Sequence, residues 1–155
     1  MNNDKNKNNF FIKYKNKHIN DRVFLIGNGP SLNETNLDLI KDEYSIAMNR
    51  ISLIYPKTEW RPSYYIFCSS NCHHPIWGNE WTKSIRESIN GEKTIPFIYR
   101  KYEKYIGSNP KIEWIENITE KKPYPNGSIE ISCFSENIVK RIDKTGTTMN
   151  LALQM

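Results

Sequence analysis

The chain has 155 residues, 37% of them hydrophobic and 25% charged, with a formal net charge of +5. That length supports one domain with a real core rather than two, and no apolar run approaches the roughly 18 residues that a membrane span needs. The polar amino terminus lacks the apolar stretch of a secretory signal, so the expected compartment is the cytoplasm.

Most of the net positive charge, +4 of +5, sits in residues 1–22, where six basic side chains (Lys5, Lys7, Lys13, Lys15, Lys17 and Arg22) face only Asp4 and Asp21. This segment reads as a disordered or loosely attached basic tail over 1–20, and the near-neutral remainder, 21–155, as one domain. A basicity confined to a tail gives no folded basic face, so no nucleic-acid partner is expected. The three cysteines, Cys68, Cys72 and Cys133, are odd in number and read as free thiols.

In chain order, 10–20 is read as an edge strand or short arm. Residues 23–26 form a short apolar run ending in glycine, the pattern of a buried strand. A short helix is expected over 36–43 and a second strand over 45–48. A helical stretch over 50–55 should end at Pro56. A third strand is expected over 63–68, and a helix over 80–89 stopped by Asn90-Gly91. Strands at 94–99 and 111–114 follow, then a loop over 117–128 marked by Pro123, Pro125 and Asn126-Gly127. Residues 135–141 are read as a helical turn, and 147–155 as the start of a helix. Alternating strands and helices imply an α/β fold, Rossmann-like, with a mostly parallel sheet and helices on both faces. In such sheets ligands bind at the carboxyl ends of the strands. The residues placed there are those of 27–31, Asn49, and 69–74.

The segment Ile26-Gly27-Asn28-Gly29-Pro30-Ser31-Leu32 carries most of the chemistry. Gly27 and Gly29 allow a sharp turn and close ligand approach. Asn28 brings an amide that both donates and accepts, and Ser31 and Glu34 have capping-box spacing. A loop of this kind opening a helical turn suits a phosphate. It lacks both the third glycine of a dinucleotide fingerprint and the Lys-Ser/Thr of a P-loop. Cys68, Cys72, His73 and His74 have zinc-ligand chemistry, but three of them are adjacent and adjacent residues rarely converge on one ion, so no metal site is expected. His73 and His74 follow a strand end, where a general acid or base could stand. Trp77, Trp81, Tyr99, Tyr102 and Tyr105 are candidate stacking residues whose commoner use is packing. Arg50 offers either a phosphate contact or a surface ion pair.

Taken together, Gly27-Asn28-Gly29-Pro30-Ser31-Leu32, Ala47-Met48-Asn49-Arg50-Ile51, Pro62-Ser63-Tyr64-Tyr65 and the stretch from Lys144-Thr145-Gly146-Thr147 to Gln154 resemble the MptE-like domain family. That family is related to the bacterial sialyltransferases of glycosyltransferase family 42. It includes 6-hydroxymethylpterin diphosphokinases and motility-associated and surface-polysaccharide glycosyltransferases. The resemblance covers about residues 22–155. It implies that Gly27, Asn28 and Gly29 contact a nucleotide's phosphate and ribose, that Ser31 supports the turn, and that Asn49 bonds the donor. Thr145, Gly146 and Thr147 would close the pocket, and Ser69 falls where relatives often carry Asn or Asp. The implied activity is transfer of a sialic or nonulosonic acid from a CMP-activated donor to a surface glycan or protein acceptor. The alternatives are diphosphoryl transfer from ATP to a hydroxymethylpterin with Mg²⁺, and a non-catalytic nucleotide-binding remnant. Relatives continue past the last helix into a further strand and a histidine-bearing lid, so the domain reads as incomplete at its C-terminus, with its catalytic base unassigned.

Overall fold

A computed structural model describes residues 9–116, 138 and 147–155. Five strands, β1 (Val23–Ile26), β2 (Tyr44–Met48), β3 (Tyr64–Phe67), β4 (Ile95–Tyr99) and β5 (Glu113–Ile115), form one sheet in the sequential order β1-β2-β3-β4-β5. Every pairing is parallel, with Leu25 beside Ile46, Ile46 beside Tyr64, Ile66 beside Phe97, and Phe97 beside Glu113. The fold class is therefore α/β and Rossmann-like, with an all-parallel sheet.

A sequential order has a consequence for the two faces. Right-handed crossovers that all step the same way must all lie on one side of the sheet. The core divides accordingly. The crossover segments bring Leu37, Ile51, Ile54, Trp60, Cys72, Ile85, Ile89, Tyr102 and Ile106 onto Ala47, Tyr65, Phe67 and Ile98. The opposite face, built on Met48, Tyr64, Ile66, Cys68, Phe97 and Ile115, is covered instead by Phe10, Phe11 and Tyr14 from one end of the described chain and Met149, Leu151, Ala152 and Met155 from the other. Along each strand alternate residues serve alternate faces, as the two-residue period requires. Both faces are apolar, which is why these strands read as continuous apolar runs rather than alternating ones.

The crossovers are mostly short 3-10 turns: Pro30–Glu34, Leu37–Ile40 and Ile51–Lys57. Three α-helices occur among the described residues, α1 (Gly78–Ile89), α2 (Glu103–Ile106) and α3 (Thr148–Leu153). Helix α1 stops at Asn90, as expected. The helix expected over 36–43 is a single 3-10 turn capped by Asn36, whose side chain accepts from the Asp38 N–H at 3.1 Å. The turn expected to end at Pro56 runs through it to Lys57; the bonds at its two ends, Leu53 N–H to the Arg50 carbonyl and Thr58 N–H to the Tyr55 carbonyl, do not use the proline nitrogen.

The amino-terminal segment differs most from its reading as an edge strand and loosely attached tail. Residues Asn9–Tyr14 form a 3-10 helix, and Phe11 is 1% exposed, with its ring centroid 5.5 Å from that of Phe97. The arm then crosses the amino ends of the strands. Lys13 and Tyr14 bond to Glu113 on β5, and His18 bonds to the Tyr64 hydroxyl on β3 at 2.5 Å and packs on Tyr44 of β2. Local charge and polarity suggested a solvated leader, while Phe10, Phe11 and Tyr14 supply the apolar cover that the second face lacks. Residues 117–128 and, apart from Ile138, the turn expected over 135–141 lie outside the described residues.

Candidate functional site

The carboxyl ends of β1, β2 and β3 lie side by side, and three turns leave them. After β1 the chain passes Gly27, Asn28 and Gly29 into the turn Pro30–Glu34. The N-cap of that turn is Gly29, with φ −72° and ψ 161°, and no side chain caps it. The capping box expected of Ser31 and Glu34 is not formed, because the N-cap is Gly29, two residues earlier, which leaves Ser31 inside the turn. Ser31 is exposed, and its carbonyl accepts from the Thr35 hydroxyl at 3.0 Å. Neither Gly27 nor Gly29 has a positive φ. A Cβ on Gly29 would meet nothing closer than the Ser31 hydroxyl at 3.8 Å, an ordinary contact. The backbone itself therefore does not require glycine at 29. A Cβ on Gly27 would lie 3.2 Å from the Met149 methyl of α3.

After β2, Asn49 takes a left-handed conformation, φ 54°, which an asparagine tolerates better than most residues. Both halves of the residue are held. Its carbonyl accepts from the buried Tyr65 hydroxyl at 2.5 Å, and its side-chain oxygen accepts from the Thr148 hydroxyl at 3.2 Å. Burial pushes the Tyr65 phenol well above its usual pKa, so it remains a donor. The Thr148 oxygen also accepts from the Cys68 thiol at 3.5 Å, and the Cys68 carbonyl accepts from the Tyr102 hydroxyl at 3.1 Å. One chain of hydrogen bonds thus links the ends of β2 and β3 to the first turn of α3.

Asn28 joins the β1 end to this set. With its carboxamide oriented to satisfy both neighbours, Nδ2 donates to the Met48 carbonyl at 2.9 Å and the oxygen accepts from the Ile51 N–H at 3.3 Å. These groups flank Asn49, so Asn28 clamps the β1 turn onto the β2 turn. This accounts for a residue type that donates and accepts at that position.

Of the residues singled out in the sequence, Gly27, Asn28 and Asn49 come together here. Ser69 stands at the neighbouring β3 end, where its hydroxyl accepts from the Asn71 N–H at 3.4 Å and caps a 3-10 turn. Thr147 is exposed beside α3, and it is its neighbour Thr148, 7% exposed, that meets Asn49. Thr145 and Gly146 lie outside the described residues. Sequence reasoning missed the links of Asn49 to Thr148 and Tyr65, and it read Tyr102 as a stacking candidate rather than as the donor to the Cys68 carbonyl. The pair Thr147-Thr148 signalled a hydroxyl, and only the docking of α3 decides which of the two faces inward.

The cysteine–histidine stretch makes no metal centre among the described residues. Cys68 packs in the second-face core and Cys72 in the first-face core, so their thiols serve opposite sides of the sheet. Burial pushes the Cys72 thiol up to about 11. His74 Nδ1 accepts from the N–H groups of Ile76 and Trp77, both at 3.2 Å, and His73 lies over Tyr105. Gly78 closes this loop: a Cβ there would stand 2.7 Å from the Cys72 carbonyl. Arg50 turns toward Glu80 at 3.7 Å and lies over the Trp81 ring at 5.7 Å, as the ion-pair reading expects. Trp81 and Tyr102 pack near Phe67, and Trp77 is exposed. No helix among the described residues is long and apolar enough to cross a membrane.

Comparison with protein-family models, with curated proteins and with solved structures finds no match to this chain.

Proposed function

We infer that the rim formed by the β1 and β2 turns binds the nucleotide of an activated donor, and that the domain is of the sialyltransferase-like, MptE-like kind, acting on a CMP-linked sialic or nonulosonic acid. The observation that carries this reading is the Asn28 clamp between Met48 and Ile51, which makes one rim of two strand-end turns. Parallel sheets place their ligand sites at that end. Gly29 adds support: its extended backbone would suit any residue and its surroundings leave room for a Cβ, so a glycine there serves close approach by something outside the fold. The choice of a CMP-sugar rests on the resemblance of the Gly-Asn-Gly-Pro-Ser-Leu and Lys-Thr-Gly-Thr-Thr segments alone. No specific observation favours the diphosphokinase alternative.

Thermal shift with CMP, CDP, ATP plus Mg²⁺, and a hydroxymethylpterin tests the reading. CMP should raise the melting temperature. Gly29→Leu should leave the melting temperature of the free protein within about 2 °C, since an extended φ and ψ suit leucine, and should abolish the CMP response. Stabilisation by ATP plus Mg²⁺ with no response to CMP overturns the donor assignment. An undiminished CMP response in Gly29→Leu overturns the site.

A further inference from the structure

The loop that leaves the carboxyl end of β3 buries Cys72 and yet holds Trp77 51% and Ile76 71% exposed. Its hydrogen bonds fix that exposure in place. The His74 N–H donates to the Asn71 carbonyl at 3.1 Å, and the His74 carbonyl accepts from the Gly78 N–H at 2.8 Å. His74 Nδ1 accepts from the Ile76 and Trp77 N–H groups, both at 3.2 Å. Gly78 then crosses the Cys72 carbonyl where a Cβ would stand 2.7 Å away, so only glycine fits. A fold gains by burying an indole; this one ties the backbone of Trp77 down and leaves half of its ring in water. The position is beside the rim. Arg50, which follows Asn49, lies over the Trp81 ring at 5.7 Å, and the Trp81 N–H donates to the Trp77 carbonyl at 3.0 Å. Polar groups border the exposed indole. Because Nδ1 accepts, a neutral His74 carries its proton on Nε2; its ring is exposed, with its centroid 6.2 Å from that of Trp77. Asn79 is exposed, and the Glu80 side chain stays 59% exposed with Arg50 at 3.7 Å.

We propose that Trp77 is the platform for a pyranose ring of a neutral glycan, whose hydroxyls bond His74 Nε2–H, the Asn79 amide and the Glu80 carboxylate. A pyranose presents a face of C–H groups and a border of hydroxyls that both donate and accept. The C–H face suits the negative face of an indole, and a flat apolar surface with a few placed polar groups is the general pattern of a small-ligand site. Size and charge select this occupant. Ile76 and Trp77 are two side chains, far short of the roughly 800 Å² that each partner buries in a stable protein interface. Residues 69–82 contain no lysine or arginine and one acidic residue, Glu80, so no charge draws the loop to an anionic membrane. Sugar binding stands apart from the nucleotide reading; only the further step, that the bound ring belongs to the acceptor, rests on it.

The test is saturation-transfer NMR on the full chain with lactose, maltotriose and chitotriose. At least one should bind, with transfer strongest to the C–H protons of one ring face. Trp77→Ala should weaken that sugar at least tenfold, Trp77→Phe clearly less, and Asn79→Ala at least threefold, each with an unchanged circular dichroism spectrum. Failure of all three sugars to bind overturns the proposal, as does binding that survives Trp77→Ala. Flotation with phosphatidylglycerol vesicles that depends on Trp77, without sugar binding, would assign the loop to a membrane surface. A concentration-dependent dimer broken by Trp77→Ala, again without sugar binding, would assign it to a second copy. The CMP thermal shift on the same protein separates the two readings. Sugar binding without a CMP response keeps the platform and removes the donor site, and a CMP response without sugar binding removes the platform alone.

Discussion

Phe11→Ala tests the architecture most directly. Phe11 is 1% exposed and packs on Phe97, with the Phe10 ring tilted against it at 4.2 Å between centroids. Removing a buried phenyl ring from a site that cannot collapse costs about 3–5 kcal/mol. The arm has another course, which is to undock and leave Phe97 and Tyr64 to water. The loss is then capped by the docking free energy of the arm, to which burying one phenylalanine side chain contributes roughly 1.5–3 kcal/mol. The expected loss is therefore about 3 kcal/mol, equivalent to roughly 6–12 °C in a domain of this size. Urea and thermal unfolding followed by far-ultraviolet circular dichroism measure it. Hydrogen exchange separates the two courses: undocking speeds exchange throughout 9–20, and a simple cavity does not. A loss below about 1 kcal/mol, near the effect of an ordinary surface change, would refute the reasoning and return the segment to a loosely attached tail.

Three further outcomes follow from single groups. Asp38 accepts from the Thr58 hydroxyl at 2.5 Å and from the Glu59 and Trp60 N–H groups at 2.9 and 3.1 Å. The Thr58 bond first, then the two backbone bonds and Lys41, hold its carboxyl below the usual range against partial desolvation. A depressed folded pKa gives stability that is complete above the unfolded value of about 3.9 and is lost as pH falls through the folded value. Asp38→Asn should thus melt lower than the parent at pH 7, and the gap should close below about pH 4; a gap independent of pH would sink the assignment. Asn49→Ala should cost about 1–2 kcal/mol in left-handed strain, and Asn49→Gly clearly less, since glycine adopts that backbone freely while losing the same amide. Equal losses would place the whole effect in the bond to Thr148. In a Cys133→Ser background, Cys68 and Cys72, both buried, should resist a disulfide thiol reagent at pH 8 in the native state and react together on unfolding. Fast native labelling would contradict their placement in the two cores.

Four of the strands were legible because each is a largely apolar run bounded by breakers, and β5, Glu113-Trp114-Ile115, was read from the alternation around it; the errors are of one or two residues. The strand-end positions of Gly27, Asn49 and Ser69 followed from the same spacing. The arm was not legible. Asn9–Tyr14 sits in a sequence rich in lysine and asparagine, and local composition outweighs three aromatics when their partner, Phe97, lies more than eighty residues away. The role of Asn28 was half legible. Its type announced paired donation and acceptance, but the acceptor at Met48 and the donor at Ile51 exist only once β1 and β2 are adjacent. Thr148 could be separated from Thr147 only by the rotation of α3 on the sheet.

The sequential strand order ties these observations together. Because the crossovers occupy one face, the other face depends on segments outside the β1–β5 run. The arm covers its amino end and α3 its carboxyl end. Helix α3 also carries Thr148 to Asn49 and Met149 to Gly27, so cover of the second face and completion of the rim formed by the β1 and β2 turns are one event at that end. At the amino end the arm, the second sheet face and the end of α3 line a cleft with Phe11, Leu25, Ile46, Phe97 and Met155 in its walls. A change that loosens α3 should therefore disturb the rim, while one confined to the arm should alter the cleft and spare the Asn28 clamp, which is made entirely on the carboxyl side of β1 and β2. The two regions are separable by that criterion, and a CMP response that survives Phe11→Ala would show them to be so.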